Sequence, residues 1–213
     1  MITHTPKAIL FDWDNTLVNS WTTIAHCLNH VFEAYGMEAW SLETVKQRSR
    51  KSLRDNFPIL FGDAWEDAKE IYYGEYRKIH LERLTPLPNA EILLNHLTDL
   101  NIPLGIVSNK MDENLQKELR ALRWDGYFKM AYGSGSSPHD KPHPASGIKA
   151  VAEFGLMPNH DILYVGDVHL DVQFAHNLGV RSVLIGDAAE QGSPPIAAHH
   201  YFETLTQFHK FIE

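Results

Sequence analysis

Residues 8–20 read AILFDWDNTLVNS. Four apolar residues, Ala8 to Phe11, run directly into Asp12-Trp13-Asp14. A short continuous apolar run of this kind predicts a strand buried on both faces. Two carboxylates one residue apart each raise the cost of ionising the other, so the turn after this strand needs a compensating charge or a proton. Further on, IPLGIV (102–107), the weaker YFKMAY (127–132), ILYV (162–165) and SVLI (182–185) alternate with helical stretches at 89–100, 112–122, 144–154 and 171–178. That alternation predicts an α/β fold: a doubly wound, Rossmann-like parallel sheet flanked by helices. Parallel strands share one direction. The residues that follow them, Asp12, Ser108-Asn109, Gly166-Asp167 and Gly186-Asp187, are therefore expected at one sheet edge, where such sheets bind ligands.

The segment between the first strand and Pro86 has a different texture. SWTTIAHCLNHVFEAY (20–35) carries apolar residues at helical spacing and stops at Gly36. A second helix is expected from Ser41. A third is expected from Asp63, whose distance from Glu66 fits a capping box. Pro86 and Pro88 then punctuate the chain, and Asn89 is placed to cap the next helix. No convincing strand lies between 20 and 84. The expected organisation is an α/β catalytic core of residues 1–18 and 86–213, with a small helical-bundle cap, 19–85, inserted after the first strand. Leaving from the ligand edge, the insertion can serve as a lid.

Bulk properties narrow the function. The 213 residues are 44% hydrophobic and 22% charged, an ordinary globular balance. A net charge of −8 disfavours a nucleic-acid binder, though not a phosphate ligand at a local site. The single cysteine, Cys27, forms no intramolecular disulfide and reads as a small buried apolar residue in a reducing compartment. No apolar run approaches the ~18 residues of a membrane span, and MITHTPK lacks the apolar stretch of a signal peptide. A cytoplasmic monomer or homodimer is expected.

DWDNT (12–16), Ser108-Asn109, KPHP (141–144) and GDVHLD (166–171) together resemble the four motifs of the haloacid dehalogenase superfamily, in order and in matching strand or loop context. The insertion resembles that superfamily's helical cap, and the general layout is most similar to its phosphoglycolate phosphatase-like branch. The resemblance covers nearly the whole chain and implies roles. Asp12 would be the nucleophile, forming an aspartyl-phosphate. Asp14 would be the general acid and base, an assignment that in the family goes with phosphatases and mutases rather than dehalogenases. Asp167, Asp12, the Asp14 backbone carbonyl and, in support, Asp171 would hold Mg²⁺, a hard cation that relieves the carboxylate repulsion. Ser108, Asn109 and Lys141 would bind the phosphoryl group, with Lys141 also holding Asp12 ionised.

The pattern departs from the family at Asn15, where glycine is common, but Asn tolerates positive φ. Trp13 either lines the crevice or packs beneath it. In QRSRKSLRD (47–55), Arg50 and Lys51 are the first candidates for reading an anionic substrate, against a simple solvated helix face. His139, His143 and His169 lie near the motif loops without ligand spacing. The function expected is a Mg²⁺-dependent phosphatase acting on a small-molecule phosphate ester, phosphoglycolate-type among the choices. The alternatives are a sugar-phosphate mutase and a non-catalytic binding module.

Overall fold

Asp12 and its companion acids are carried by a parallel sheet. The computed structural model describes residues 5–48, 53–186 and 197–213. Within them the strands are β1 (Ala8–Phe11), β2 (Leu104–Met111), β3 (Met130–Ser134), β4 (Ile162–Gly166), β5 (Arg181–Ile185) and β6 (His200–Phe202). They pair in the order β3-β2-β1-β4-β5-β6, every pair parallel. β1 is central, with Phe11 in register with both Ile106 and Val165. All four of its residues are buried, so the apolar run needs no polar face.

The helices of this unit are α5 (Ala90–Asp99), α6 (Asp112–Leu122), α7 (Ala145–Glu153), α8 (His169–Leu178) and α9 (Leu205–Ile212), with α1 to α4 belonging to the insertion. One core cluster joins Leu10, Val107, Tyr164 and Ile162 of the sheet to Val151, Phe174 and Leu178 of α7 and α8. Three features depart from the sequence expectations. β2 runs on through Ser108, Asn109 and Lys110, with an irregular register between Val107 and Met111, so the polar residues sit in the strand rather than beyond it. β3 starts later than YFKMAY because Tyr127 closes a turn on the Trp124 carbonyl. Asn89 occupies the N-cap of α5 at φ 68° but makes no capping hydrogen bond; its side chain meets His209 Nδ1 at 3.1 Å.

The chain divides into two compact units, Met1–Val18 with Pro86–Glu213, and Asn19–Thr85. The second is helical: α1 (Trp21–Ala34), α2 (Leu42–Arg48), α3 (Leu53–Phe61), a 3₁₀ turn (Gly62–Ala64) and α4 (Trp65–Ile79). Its core is apolar and aromatic, built on Cys27, Leu28, Phe32, Val45, Phe57 and Tyr72. Helix α3 had no counterpart in the apolar pattern. The capping box expected at Asp63 is absent: Asp63 lies in the 3₁₀ turn, and Ala64 precedes α4. Among the described residues no helix is long and apolar enough to cross a membrane.

Candidate active site

Asp12 follows β1 directly, and its backbone N–H donates to the Val165 carbonyl at 2.8 Å, so the sheet ladder itself fixes the start of the turn. The turn closes through Trp13: the backbone N–H groups of Thr16, Leu17 and Val18 all approach the Trp13 carbonyl. Asn15 takes φ 59°, the left-handed conformation its side chain tolerates. β4 lies beside β1 and delivers Gly166 and Asp167 next to Asp12. Thr16 Oγ1 donates to Asp167 Oδ1 at 3.3 Å, tying the first turn to the fourth motif.

Lys141 sits at the centre of this cluster, only 5% exposed. Its Nζ lies 2.9 Å from Asp12 Oδ1 and 2.7 Å from Asp171 Oδ1, and donates to the Tyr164 hydroxyl at 2.8 Å. The Tyr164 hydroxyl in turn donates to the Val107 carbonyl at 2.7 Å. Asp171 Oδ2 accepts the backbone N–H groups of Asp167 (3.1 Å) and Val168 (3.2 Å), which caps the start of α8. Gly166 is required here: a Cβ at that position would stand 2.3 Å from Asp171 Cγ. Ligand atoms of Asp12, Asp167 and Asp171 all lie within 4.8 Å of one another.

The electrostatics reflect this crowding. Burial pushes the Asp12 carboxyl up to about 6, with Lys141 pulling down and Asp171 and Asp14 pushing up. Burial, with Asp171 and Asp12 close by, pushes Asp167 well above the carboxylate range. Burial works against the Lys141 ammonium, but Asp12 and Asp171 outweigh it and raise its proton affinity. Three carboxylates against one ammonium form an oxygen-only set short of positive charge. Such a set fits a hard divalent cation.

The other expected residues fall as follows. The Ser108 hydroxyl is buried and accepts the Lys110 backbone N–H at 3.2 Å. Asn109, expected as a backbone or side-chain donor to the phosphoryl group, spends its side chain on the Lys141 loop. Its Nδ2 donates to the Lys141 carbonyl (3.0 Å) and its Oδ1 accepts the Lys141 N–H (2.8 Å), so the side chain clamps the loop that carries Lys141. Of the two readings of Trp13, packing fits its placement: it is fully buried, edge-on to Trp124 at 6.0 Å, and its indole N–H donates to Glu118 at 2.6 Å. It is a packing residue, not a lining one. Asp14 Oδ1 accepts Lys110 Nζ at 2.7 Å. Arg50, Lys51 and Asp187 lie outside the described residues.

Sequence reasoning missed Tyr164, Lys110 and Glu118. Tyr164 was read only as part of an apolar strand. Lys110 follows the second motif directly, and Glu118 interrupts the Leu115/Leu119 face of α6; both were legible as charges at core positions.

A parallel sheet with an acidic cluster beyond its central strands is a doubly wound α/β protein with its ligand site at the carboxyl edge. The profile of the haloacid dehalogenase-like hydrolases matches residues 9–185, and the chain belongs to that family. It is 31% identical over 196 residues to a phosphoglycolate phosphatase of Mannheimia succiniciproducens, covering 83% of this chain and 84% of that one. It is 28% identical to pyrophosphatase PpaX of Oceanobacillus iheyensis, covering 84% and 83% of the two chains. A solved structure of a candidate haloacid dehalogenase-like hydrolase from Bacteroides fragilis superposes with a TM-score of 0.85 at 26% identity, over 95% of this chain and 99% of that one.

Proposed function

We propose that this hydrolase is a Mg²⁺-dependent phosphatase that cleaves a small phosphomonoester of phosphoglycolate type through an aspartyl-phosphate at Asp12. The observation that carries the reading is the cluster of Asp12, Asp167 and Asp171 at the sheet's carboxyl edge, with Lys141 between Asp12 and Asp171. An Asp12 oxygen attacks phosphorus while the bond from phosphorus to the ester oxygen breaks, and Asp14 gives its proton to the departing alkoxide. Water then attacks the same phosphorus, Asp14 takes the proton, and the bond to Asp12 breaks to release phosphate. Ser108 and Lys141 stabilise the phosphoryl oxygens, where negative charge crowds. Asp12, Asp167, Asp171 and the Asp14 backbone carbonyl would hold the ion, which when bound supplies positive charge to the cluster and to a phosphoryl oxygen. We assign the choice of leaving group to the helical unit Asn19–Thr85, with Arg50 and Lys51 as the residues to vary first.

The test is phosphate release from p-nitrophenyl phosphate, phosphoglycolate, sugar phosphates and pyrophosphate, with Mg²⁺ and with EDTA. Release that needs Mg²⁺, with phosphoglycolate turned over fastest, is the expected result. Pyrophosphate in first place would favour a pyrophosphatase, a reading that the PpaX relative motivates. Phosphoryl transfer between sugar phosphates, dependent on a bisphosphate and without net phosphate, would replace the phosphatase by a mutase.

A further inference from the structure

Asp14 is held by a second buried network, separate from the Lys141 cluster. Lys110 Nζ lies 2.7 Å from Asp14 Oδ1 and 3.1 Å from Glu118 Oε2, and the same Glu118 oxygen accepts the Trp13 indole N–H at 2.6 Å. The Lys110 and Glu118 side chains are 4% and 1% exposed, whereas that of Asp14 is 26% exposed. The network therefore runs from the interior of α6, through the end of β2, to a carboxylate that still meets solvent. Both ends return to the Asp12 turn, since Trp13 and Asp14 are consecutive. Lys110 is placed by its own backbone: its N–H is held by the Ser108 hydroxyl, in the irregular stretch of β2.

A buried ion pair is a poor way to gain stability, because desolvation offsets most of the attraction. Its value lies in geometry: a lysine pinned by an inaccessible glutamate can hold a third group in one place. An aspartate side chain on a turn has several rotamers open to it, the Lys110 ammonium favours one of them, and general acid catalysis requires its oxygen within hydrogen-bond reach of the leaving group. We infer that Lys110 and Glu118 are positioning residues that fix the Asp14 carboxylate for proton delivery to the leaving oxygen. The inference rests on the phosphatase reading and on Asp14 as its acid.

The discriminating readout is the leaving group. Nitrophenolate departs without help, whereas an alkoxide needs its proton, so a misplaced Asp14 slows ester cleavage selectively on alkyl phosphates, while the later attack of water, which needs Asp14 as base, slows on both. Because Lys110→Met alone strands Glu118, the main variant is Lys110→Met with Glu118→Gln, which keeps an acceptor for Trp13. Lys110→Arg and Glu118→Gln are measured beside it. In single-turnover ester cleavage the double variant should lose about a hundredfold on the best alkyl phosphate and less than about threefold in the nitrophenol burst from p-nitrophenyl phosphate. Lys110→Arg should recover part of the alkyl rate. Equal losses of single-turnover cleavage on both substrates, or none on either, would overturn the positioning role while leaving the phosphatase intact. A wild-type protein that releases phosphate from neither substrate would bring down the parent reading, and the positioning role with it.

Discussion

Two lysines, each wedged between carboxylates, divide the site between them. Lys141 joins Asp12 to Asp171, all three withdrawn from water, with the partly buried Asp167 close by. Lys110 joins Asp14 to Glu118, and here one carboxylate keeps a solvent edge. The surplus of negative charge is concentrated around Lys141, and that is where a cation is needed. Asp14, which in the proposed mechanism exchanges a proton twice per turnover, keeps contact with water. The difference answers why two aspartates stand one residue apart: the turn sends them to two different lysines, Asp12 to Lys141 and Asp14 to Lys110.

The comparison breaks most sharply at Asp12. Asp12→Asn should remove turnover by at least ~10⁴-fold, since an amide cannot be the nucleophile. The fold should survive, because the change removes a buried carboxylate whose ionisation is opposed by its surroundings. Phosphate release and thermal melts on one preparation check both halves, and retained turnover would end the proposed mechanism. Lys141→Met should behave in the opposite way. It leaves Asp12 and Asp171 buried without their shared cation, so the protein should lose about 3–5 kcal/mol of stability as well as its activity. Urea unfolding of the two variants side by side would separate a chemical loss from a structural one.

A third contrast is in pH. The Asp12 carboxyl titrates near 6 when folded, above its ordinary value of 3.8. The folded state therefore binds more protons than the unfolded one between those values. On this group's account, stability without metal is full below about pH 4 and is lost as pH rises through about 6. Mg²⁺ competes with that proton, so its stabilising effect should be small at pH 5 and grow above pH 6. Melting temperatures at both pH values, with Mg²⁺ and with EDTA, read this directly. A Mg²⁺ effect independent of pH would separate the ion from Asp12.

The sheet was legible because its strands are continuous apolar runs and its acids follow two of them. Asp12 and Asp167 could be placed from that pattern alone. The extent of β2 was not, because a register irregularity carries Ser108, Asn109 and Lys110 inside the strand, and no alternation announces it. β6 and α9 were missed for a related reason: HYF is too short a run to stand out from its polar flanks. Asn109 illustrates a further limit. Its position beside Ser108 placed it at the phosphate, but whether an amide serves a ligand or a backbone depends on what lies opposite, here Lys141. Lys110 and Glu118 are close in sequence but stand on different elements, the end of β2 and the second turn of α6, and only the packing of α6 on β2 makes them one unit.

Trp13 gives the smallest expected effect and the cleanest division between packing and recognition. Its ring is enclosed against Trp124, and its only polar atom is spent on Glu118. Trp13→Phe keeps most of the ring but withdraws one donor from a buried carboxylate, a loss of about 2 kcal/mol. Glu118 keeps Lys110, so Asp14 stays anchored and kcat/KM should change less than about threefold on alkyl and aryl phosphates alike. The order of substrates should not change, because no substrate group reaches a fully buried ring. A reordered panel would return Trp13 to the crevice. A selective loss on alkyl phosphates would instead show that the indole N–H is needed to hold Glu118 on Lys110, extending the Asp14 network by one member.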